Sequence, residues 1–257
     1  MPLALAAVEY GAGPPLAILH GLFGSGRNWT SIAQGLAPQH RVIALDLRNH
    51  GASPWAETMG YGEMAEDVRA SLSARGYEHY ALLGHSMGGK VAMMAALQHP
   101  EMVERLIVAD IAPVSYPMRH LCEVEAMRRL DLTGIQRRSQ ADVALAAAIP
   151  DAAERAFLLQ NLIFNNGGAR WRLNLEAIEQ GMPALVEFPA IPAGRTYDGP
   201  ALFLAGGRSD YVQPAYEPAI RRFFPKHEIA RIEKAGHWLH AEQPAEFLAI
   251  IERFLSR

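Results

Sequence analysis

The sequence predicts an α/β fold, in which helices cover both faces of a mostly parallel central sheet and a helical cap is inserted late in the chain. The first indication is the regular alternation of short apolar runs with helical segments over residues 1–114. The second is that these runs are apolar nearly throughout, which is typical of parallel strands that are buried on both faces. The third is that the alternation stops after residue 115 and resumes near residue 196.

The predicted strands are short apolar runs bounded by glycine, proline or polar residues. They lie at residues 3–9, 15–20, 42–45, 80–83, 106–109, 201–204 and 228–232. Helices are predicted between them where apolar residues recur at helical spacing. In the helix at 61–75, for example, Met64, Val68 and Leu72 share one face, and Gly76 follows as a stop signal. The other core helices are predicted at 28–36, 88–97, 214–223 and 244–255.

Residues 115–195 are predicted to form a helical cap, inserted in a core domain of residues 1–114 and 196–257. No strand is expected from 116 to about 195. The helices predicted there lie at 121–130, 140–149, 152–164 and 173–185, separated by Pro150 and by the pair Gly167 and Gly168. Loops at the carboxyl edge of such a sheet usually carry function, so we expect the insertion to cover an active site there. A peripheral packing subdomain is the alternative.

Charge and composition argue against two classes of partner. The net charge is -3 and the basic doublets are scattered, so nucleic-acid binding has no footprint. No apolar run approaches the roughly 20 residues of a membrane-spanning helix, and no membrane partner is expected. The single cysteine, Cys122, rules out an intramolecular disulfide and favours a reducing compartment. We therefore expect a cytoplasmic protein.

The most informative motif is Gly84-His85-Ser86-Met87-Gly88, a match to G-x-S-x-G. It lies between an apolar strand and an Ala/Met/Leu-rich helix, which is the context that this motif requires. A serine on such a sharp turn adopts a strained backbone, and the flanking positions leave no room for side chains. Ser86 is therefore the candidate nucleophile, exposed at the carboxyl edge of the sheet beside a helix N-terminus.

A serine hydroxyl needs a positioned base to accept its proton. Among ten histidines, His237 is the best candidate because it follows the last strand, in Lys-Ala-Gly-His-Trp. The chain order serine, acid, histidine is that of α/β-hydrolases. His240 could pair with His237 on a metal, but no further ligands follow at suitable spacing, so no metal is expected.

An oxyanion hole needs two backbone N–H groups aimed at the developing charge. One is expected from Met87, which follows the nucleophile, and the other from the glycine-rich turn after the second strand. In that turn Leu22 is the first candidate, because it directly follows His-Gly, and Phe23 is the second.

The acyl pocket is expected to be walled by side chains of these same turns and of the cap. The candidates are Leu22, Phe23, Met87 and Trp238 from the core, with Phe157, Phe164 and Trp171 from the cap. For the three cap aromatics, ordinary packing inside the cap is an equal alternative.

Together these motifs resemble the α/β-hydrolase superfamily along nearly the whole chain. The segments that carry the match are H-G-L-F-G-S-G-R-N-W, D-L-R-N-H-G, G-H-S-M-G-G-K, D-I-A-P and A-G-H-W-L-H-A-E. The sequence is most similar to the branch of small bacterial esterases and mitochondrial abhydrolase-domain-11-type proteins. This resemblance implies the α/β-hydrolase fold and hydrolysis of small carboxylic esters or thioesters of modest acyl length, without a cofactor.

Two carboxylates compete for the place of the triad acid. Asp210 follows the penultimate strand, which is the usual position in the superfamily. The similar esterases, however, share G-G-x-S-x-Y-V without requiring an acid at that position, and they do share D-I-A-P, which contains Asp110. Either residue could lie within reach of His237, and the resemblance favours Asp110.

The sequence therefore predicts a serine esterase in which His237 activates Ser86 and water hydrolyses the acyl-enzyme. Thioester hydrolysis, acyl transfer, cofactor-free haloperoxidase chemistry and carbon–carbon hydrolysis are alternatives on the same residues. A catalytically silent protein that binds a small ligand is the alternative from another class. The strained serine turn and the two oxyanion turns argue against it, because a binding protein needs neither.

Overall fold

A computed structural model describes residues 1–165 and 168–257. Its central sheet has seven strands, which are β1 (Ala7–Tyr10), β2 (Pro15–Leu19), β3 (Arg41–Leu45), β4 (Tyr80–His85), β5 (Val103–Ala109), β8 (Ala201–Gly206) and β9 (His227–Ile232). Across the sheet they lie in the order β1-β3-β2-β4-β5-β8-β9. The first strand is antiparallel to its neighbour and the others are parallel. The predicted α/β-hydrolase fold is confirmed.

The core helices follow the strands as the sequence predicts. They are α1 (Thr30–Leu36), α2 (Tyr61–Ser73), α3 (Met87–Gln98), α8 (Glu217–Phe223), α9 (Leu239–Glu242) and α10 (Pro244–Leu255), with 3-10 turns at Gly26–Trp29 and Pro214–Tyr216. Among the described residues, no helix is both long enough and apolar enough to cross a membrane.

Apolar residues of the central strand β4 alternate between the two faces of the sheet. Leu82 packs in a buried cluster with side chains of α2 and α3. Leu83 packs in a second cluster with side chains of α1 and α10. Because successive strand residues point to opposite faces, a strand that is apolar throughout supplies both layers of the core.

The first strand is shorter than the predicted run at 3–9. Residues before Ala7 lie along α2 instead: the Leu3 N–H donates to Asp67 at 2.7 Å, and the Leu5 N–H donates to the Ser71 hydroxyl at 2.9 Å. Side chains of a helix thus satisfy the backbone donors that a strand neighbour would otherwise have satisfied.

The inserted segment, residues 115–195, differs from the prediction in one element. It contains the helices α4 (Leu121–Arg129), α5 (Arg138–Leu145), α6 (Ala152–Leu159) and α7 (Leu175–Val186). It also contains an antiparallel hairpin, β6 (Leu162–Asn165) and β7 (Gly168–Trp171), where no strand was expected. Gly167, part of the predicted break between helices, lies outside the described residues.

The predicted helix at 152–164 was wrong beyond Leu159. The Asn161 carboxamide donates to the carbonyl of Leu158, an acceptor at the end of α6, at 3.2 Å. The Asn161 carbonyl in turn accepts from the Arg172 N–H at 2.8 Å, just after β7. The Leu-Ile-Phe run that follows has β-branched and aromatic residues, which favour a strand. The carboxamide of Asn161 thus closes the helix, and the chain continues as the hairpin.

Candidate active site

Ser86 lies on the sharp turn between β4 and α3, with φ 53° and ψ -120°. This strained conformation is possible because glycines flank it. A Cβ atom on Gly84 would lie 2.1 Å from the Gly88 carbonyl oxygen, and one on Gly88 would lie 2.5 Å from the Leu19 carbonyl oxygen. The G-x-S-x-G pattern therefore reflects close packing of α3 against β4 and β2, and it projects the serine at the carboxyl edge of the sheet.

Three predicted residues meet at that edge in one hydrogen-bond chain. The Ser86 Oγ lies 3.1 Å from the His237 Nε2, and the His237 Nδ1 lies 2.8 Å from the Asp110 Oδ2. Because the carboxylate only accepts, Nδ1 carries the proton and Nε2 is free to accept from the serine. Asp110 is fully buried, and it also accepts from the Gly206 N–H at 2.9 Å and from the Ser209 hydroxyl.

The structure places the other candidate acid away from His237. Asp210 has a side chain that is 55% exposed, and it forms a two-pronged ion pair with Arg119, at 2.6 and 3.1 Å. The hydrogen bonds from Arg119 hold the pKa of Asp210 below its usual range. Asp210 therefore joins the core to the inserted segment, whereas the sheet edge at β5 brings Asp110 to the histidine.

Tyr211, the neighbour of Asp210, packs directly on the histidine. Its ring is stacked on the His237 imidazole, with centroids 4.2 Å apart and planes inclined by 24°. The Arg119 guanidinium lies over the Tyr211 ring, 5.0 Å from its centroid. Arg119 and Tyr211 thus line the cavity beside His237, and Asp210 holds Arg119 from behind.

The three oxyanion candidates all border the cavity that holds Ser86. Phe23 has its N–H occupied, because it donates to the His50 Nε2 at 3.2 Å. The Leu22 N–H has no acceptor in the described part of the chain. Leu22 also follows Gly21, where a Cβ atom would lie 3.3 Å from the Ser86 Cβ. Of the two turn residues, Leu22 is therefore the one with an available donor next to the serine.

The structure brings only some of the predicted pocket aromatics to the cavity. Phe157 and Trp238 line it together, with ring centroids 5.9 Å apart. Phe164 and Trp171 do not line it. Phe164 is on the hairpin, 37% exposed, with the Arg138 guanidinium 5.8 Å from its ring centroid. Trp171 is buried inside the inserted segment, where its indole N–H donates to a carbonyl of α4 at 3.0 Å. Phe164 thus lies on the outer surface of the insertion and Trp171 in its interior, which is the packing alternative for these two residues.

Buried histidines around the site stay neutral. His85 donates from Nε2 to the His237 carbonyl at 2.8 Å, and burial lowers the pKa of His85 well below its usual value. His240 is stacked on Trp29, with centroids 4.1 Å apart, and burial lowers its pKa to about 4. Only His237 among these has a carboxylate on one ring nitrogen and a serine on the other, which is the arrangement that suits a base.

Lys90, in the first turn of α3, is a buried lysine near the site that the sequence did not point to. Its Nζ donates to the carbonyls of Val186 and Glu187, at the end of α7, at 3.0 and 2.6 Å. It also lies over the rings of Tyr61 and Tyr116, at 5.5 and 5.1 Å from their centroids. Burial lowers the pKa of Lys90 to about 7. The available signal was the position of this lysine in the otherwise apolar helix after Ser86. A lysine in such a helix is expected to be buried, and a buried lysine needs polar partners for its amine.

One group among the described residues has the spacing of metal ligands. His120, Glu123 and Glu154 offer one atom each, all within 4.8 Å of one another, and they belong to the inserted segment. His120 and Glu154 border the cavity. These are the residues that could hold a metal ion near the site.

Comparison with known proteins gives consistent matches. A family model described as the alpha/beta hydrolase fold matches residues 14–244. The chain is 40% identical to the sn-1-specific diacylglycerol lipase ABHD11 of Mus musculus, over 95% of this chain and 81% of that protein. It is 35% identical to Esterase YbfF of Escherichia coli (strain K12), over 94% of this chain and 93% of that protein. A solved structure described as a marine microorganism esterase has 38% identity and a TM-score of 0.95, covering 98% of this chain and 99% of that chain.

Proposed function

Because this chain belongs to the α/β-hydrolase family, we propose that it cleaves small carboxylic esters through an acyl-enzyme formed on Ser86. The chain is a carboxylesterase-type hydrolase, as its similarity to esterases and to a lipase indicates. The observation that supports the proposal for the reacting residues is the hydrogen-bond chain from Asp110 through His237 to Ser86.

In the proposed mechanism, the Ser86 Oγ attacks the ester carbonyl while His237 Nε2 accepts its proton. The imidazolium that forms is stabilised by Asp110, which also fixes the reactive tautomer. His237 then gives the proton to the leaving alcohol. Water attacks the acyl-enzyme with the same histidine as base, which releases the acid and restores the serine.

The negative charge of the tetrahedral intermediate is expected to lie between the N–H groups of Leu22 and Met87. The free Leu22 N–H and the position of Met87 directly after the nucleophile, at the start of α3, support this assignment. Phe23 is a weaker candidate, because its N–H is already engaged by His50.

The substrate is proposed to be a small ester or thioester with a short to medium acyl chain. Apolar and aromatic side chains of both the core and the inserted segment line the cavity, among them Leu22, Phe157 and Trp238. We therefore propose that residues 115–195 act as a cap that shapes the acyl pocket. The cytoplasmic location expected from cysteine usage stays a prediction.

Replacement of the nucleophile tests this proposal. Ser86→Ala should lower kcat for a short acyl ester by several orders of magnitude, on the order of 10⁶ as for other serine hydrolases. Kinetics on p-nitrophenyl esters would measure this, with a melting curve to show that the variant is folded. Activity above a tenth of the wild-type value, in protein free of contaminating hydrolases, would contradict the mechanism.

A further inference from the structure

The Phe23 peptide stands in a conformation that residues with a Cβ rarely adopt, with φ 62°. It lies in the turn 21–24, which is closed by a hydrogen bond from the Gly24 N–H to the Gly21 carbonyl at 2.9 Å. Such conformations persist only where the surroundings hold them, and they cluster at functional sites. The question is what holds this one.

Two buried side chains hold the Phe23 backbone from different parts of the chain. The His50 Nε2 accepts from the Phe23 N–H at 3.2 Å. The Asn161 carboxamide donates to the Phe23 carbonyl at 2.8 Å. His50 is completely buried and Asn161 is 4% exposed. Water therefore cannot readily replace either side chain as a partner of the turn.

His50 is set to act as an acceptor. Its Nδ1 donates to the Arg48 carbonyl at 2.8 Å, so the proton sits on Nδ1 and Nε2 is bare. Burial lowers the pKa of His50 to about 3, which keeps the ring neutral at ordinary pH. The core thus fixes the N–H side of the Phe23 peptide.

Asn161 fixes the carbonyl side from the inserted segment. It lies between α6 and β6, and the same carboxamide nitrogen also donates to the Leu158 carbonyl at 3.2 Å. The hydrogen bond from Arg172 to the Asn161 carbonyl attaches it to the hairpin. The contact with Leu158 therefore orients the Asn161 side chain, and the contact with Arg172 fixes its backbone.

With both polar groups of Phe23 engaged and the Gly24 N–H bonded to the Gly21 carbonyl, the Leu22 N–H is left without an acceptor in the described part of the chain. We propose that Asn161 is a positioning residue for ester hydrolysis, which holds the turn 21–24 so that the Leu22 N–H faces the oxyanion. This inference rests on the proposed function, and it gives the inserted segment a part in the chemical step as well as in the pocket.

The variants Asn161→Asp and Asn161→Ala test this role, because both remove the amide donor and the first keeps the shape. We expect kcat for a short ester to fall by roughly 10- to 100-fold, less than for outright loss of an oxyanion donor, with KM changed less than about threefold. Affinity for a trifluoromethyl ketone with the same acyl group should fall in parallel with kcat, because that inhibitor forms the oxyanion.

Gln160→Ala is the matched control. Gln160 is the neighbour of Asn161 and also joins the insertion to the core, through a hydrogen bond from the Asn28 carboxamide at 2.8 Å. Within residues 1–165 and 168–257, no hydrogen bond joins Gln160 to the turn 21–24 or to Ser86. If the Asn161 variants act by loosening the insertion in general, Gln160→Ala should lose activity as well. If they act through the lost Asn161–Phe23 hydrogen bond, Gln160→Ala should keep its activity.

Three outcomes would overturn the inference. The first is a folded Asn161 variant with wild-type kcat and wild-type ketone affinity. The second is an equal loss in Gln160→Ala, and the third is a change in KM alone. Each of these leaves the Ser86→Ala result untouched, so failure of this inference is distinct from failure of the proposed function.

If neither Asn161 variant folds, variants of His50, which accepts from the Phe23 N–H, provide the test. His50→Gln can keep an acceptor for the Phe23 N–H, whereas His50→Ala cannot. The inference requires that the glutamine variant retain more of kcat and of ketone affinity than the alanine variant, and equal losses in the two would contradict it.

Discussion

At the scale of single residues, the position of Asp110 is set by its backbone. It has φ 51°, and its N–H donates to the Leu204 carbonyl at 2.8 Å. This continues the pairing of β5 with β8 for one residue and turns the carboxylate along the edge towards His237. The Ser209 hydroxyl and the Gly206 N–H then hold the carboxylate from the β8 side.

The two aspartates should respond differently to removal of their charge. Asp110→Asn should lose up to about 10⁴ in kcat, because the amide no longer selects the reactive tautomer or stabilises the imidazolium. Asp210→Asn should lose little in kcat, because its partner is the exposed Arg119. Kinetics at one fixed pH, on variants shown to be folded, would measure both.

The assignment of the acid would be wrong if Asp210→Asn lost most activity while Asp110→Asn stayed near the wild-type value. Comparable partial losses would mean that both carboxylates support the histidine. Position along the chain could not separate the two, since each follows a strand at the same edge of the sheet, and only the resemblance of the D-I-A-P segment favoured Asp110. The difference lies in Arg119, a partner 91 residues away that engages Asp210.

Tyr211 and Lys90 show a second limit at this scale. Tyr211 stands in G-G-x-S-x-Y-V and Lys90 in G-H-S-M-G-G-K, yet their contacts depend on packing across the fold. The stacking on His237 and the bonds to the end of α7 involve residues that are distant in the chain. Motif spacing locates such residues, but it does not say what their side chains touch.

At the scale of elements, the strands of the core could be predicted from their apolar character, whereas the hairpin of the insertion could not. The hairpin strands β6 and β7 have four residues each, and only Leu162 and Trp171 are buried in them. So short a strand leaves little periodicity, and only Gln160 and Asn161 separate the apolar end of α6 from the apolar residues of β6. The helix ends at hydrogen bonds that join Asn161 to Leu158 and to Arg172, and the spacing of apolar residues does not reveal them.

The position of the aromatics on these elements predicts which of them affects substrate choice. Phe157→Ala should open the cavity and shift the preference towards longer acyl chains, by 10- to 200-fold in relative kcat/KM, or about 1–3 kcal/mol. Phe164→Ala is the matched control, because this residue lies on the hairpin and does not line the cavity. A series of esters from acetyl to decanoyl would measure both profiles.

An unchanged profile for Phe157→Ala would remove that residue from the acyl pocket. The same shift in both variants would mean that the insertion acts through its overall stability, because the two side chains have no common contact with the cavity.

At the scale of the whole molecule, the insertion and the core are joined at the site itself. The contacts that make this connection include those of Asn161 with Phe23, Arg119 with Asp210, and Lys90 with Val186. The first reaches the turn 21–24, and the second reaches Asp210, beside the Tyr211 that stacks on His237. The third reaches α3, the helix that follows the nucleophile. The motifs of the core predicted where the chemistry lies, whereas this connection could only be found in the folded chain.

The central claim is that Ser86 becomes covalently acylated, and active-site labelling tests it most directly. The protein would be treated with a fluorophosphonate, which reacts with activated serines, and its mass measured intact and after digestion. We predict one added phosphonyl group, mapped to the peptide that contains Ser86, with parallel loss of esterase activity and no addition to Ser86→Ala. The claim would be contradicted if the treated protein carried no label and still hydrolysed esters at the full rate. It would also be contradicted if a label on another residue accounted for the loss of activity.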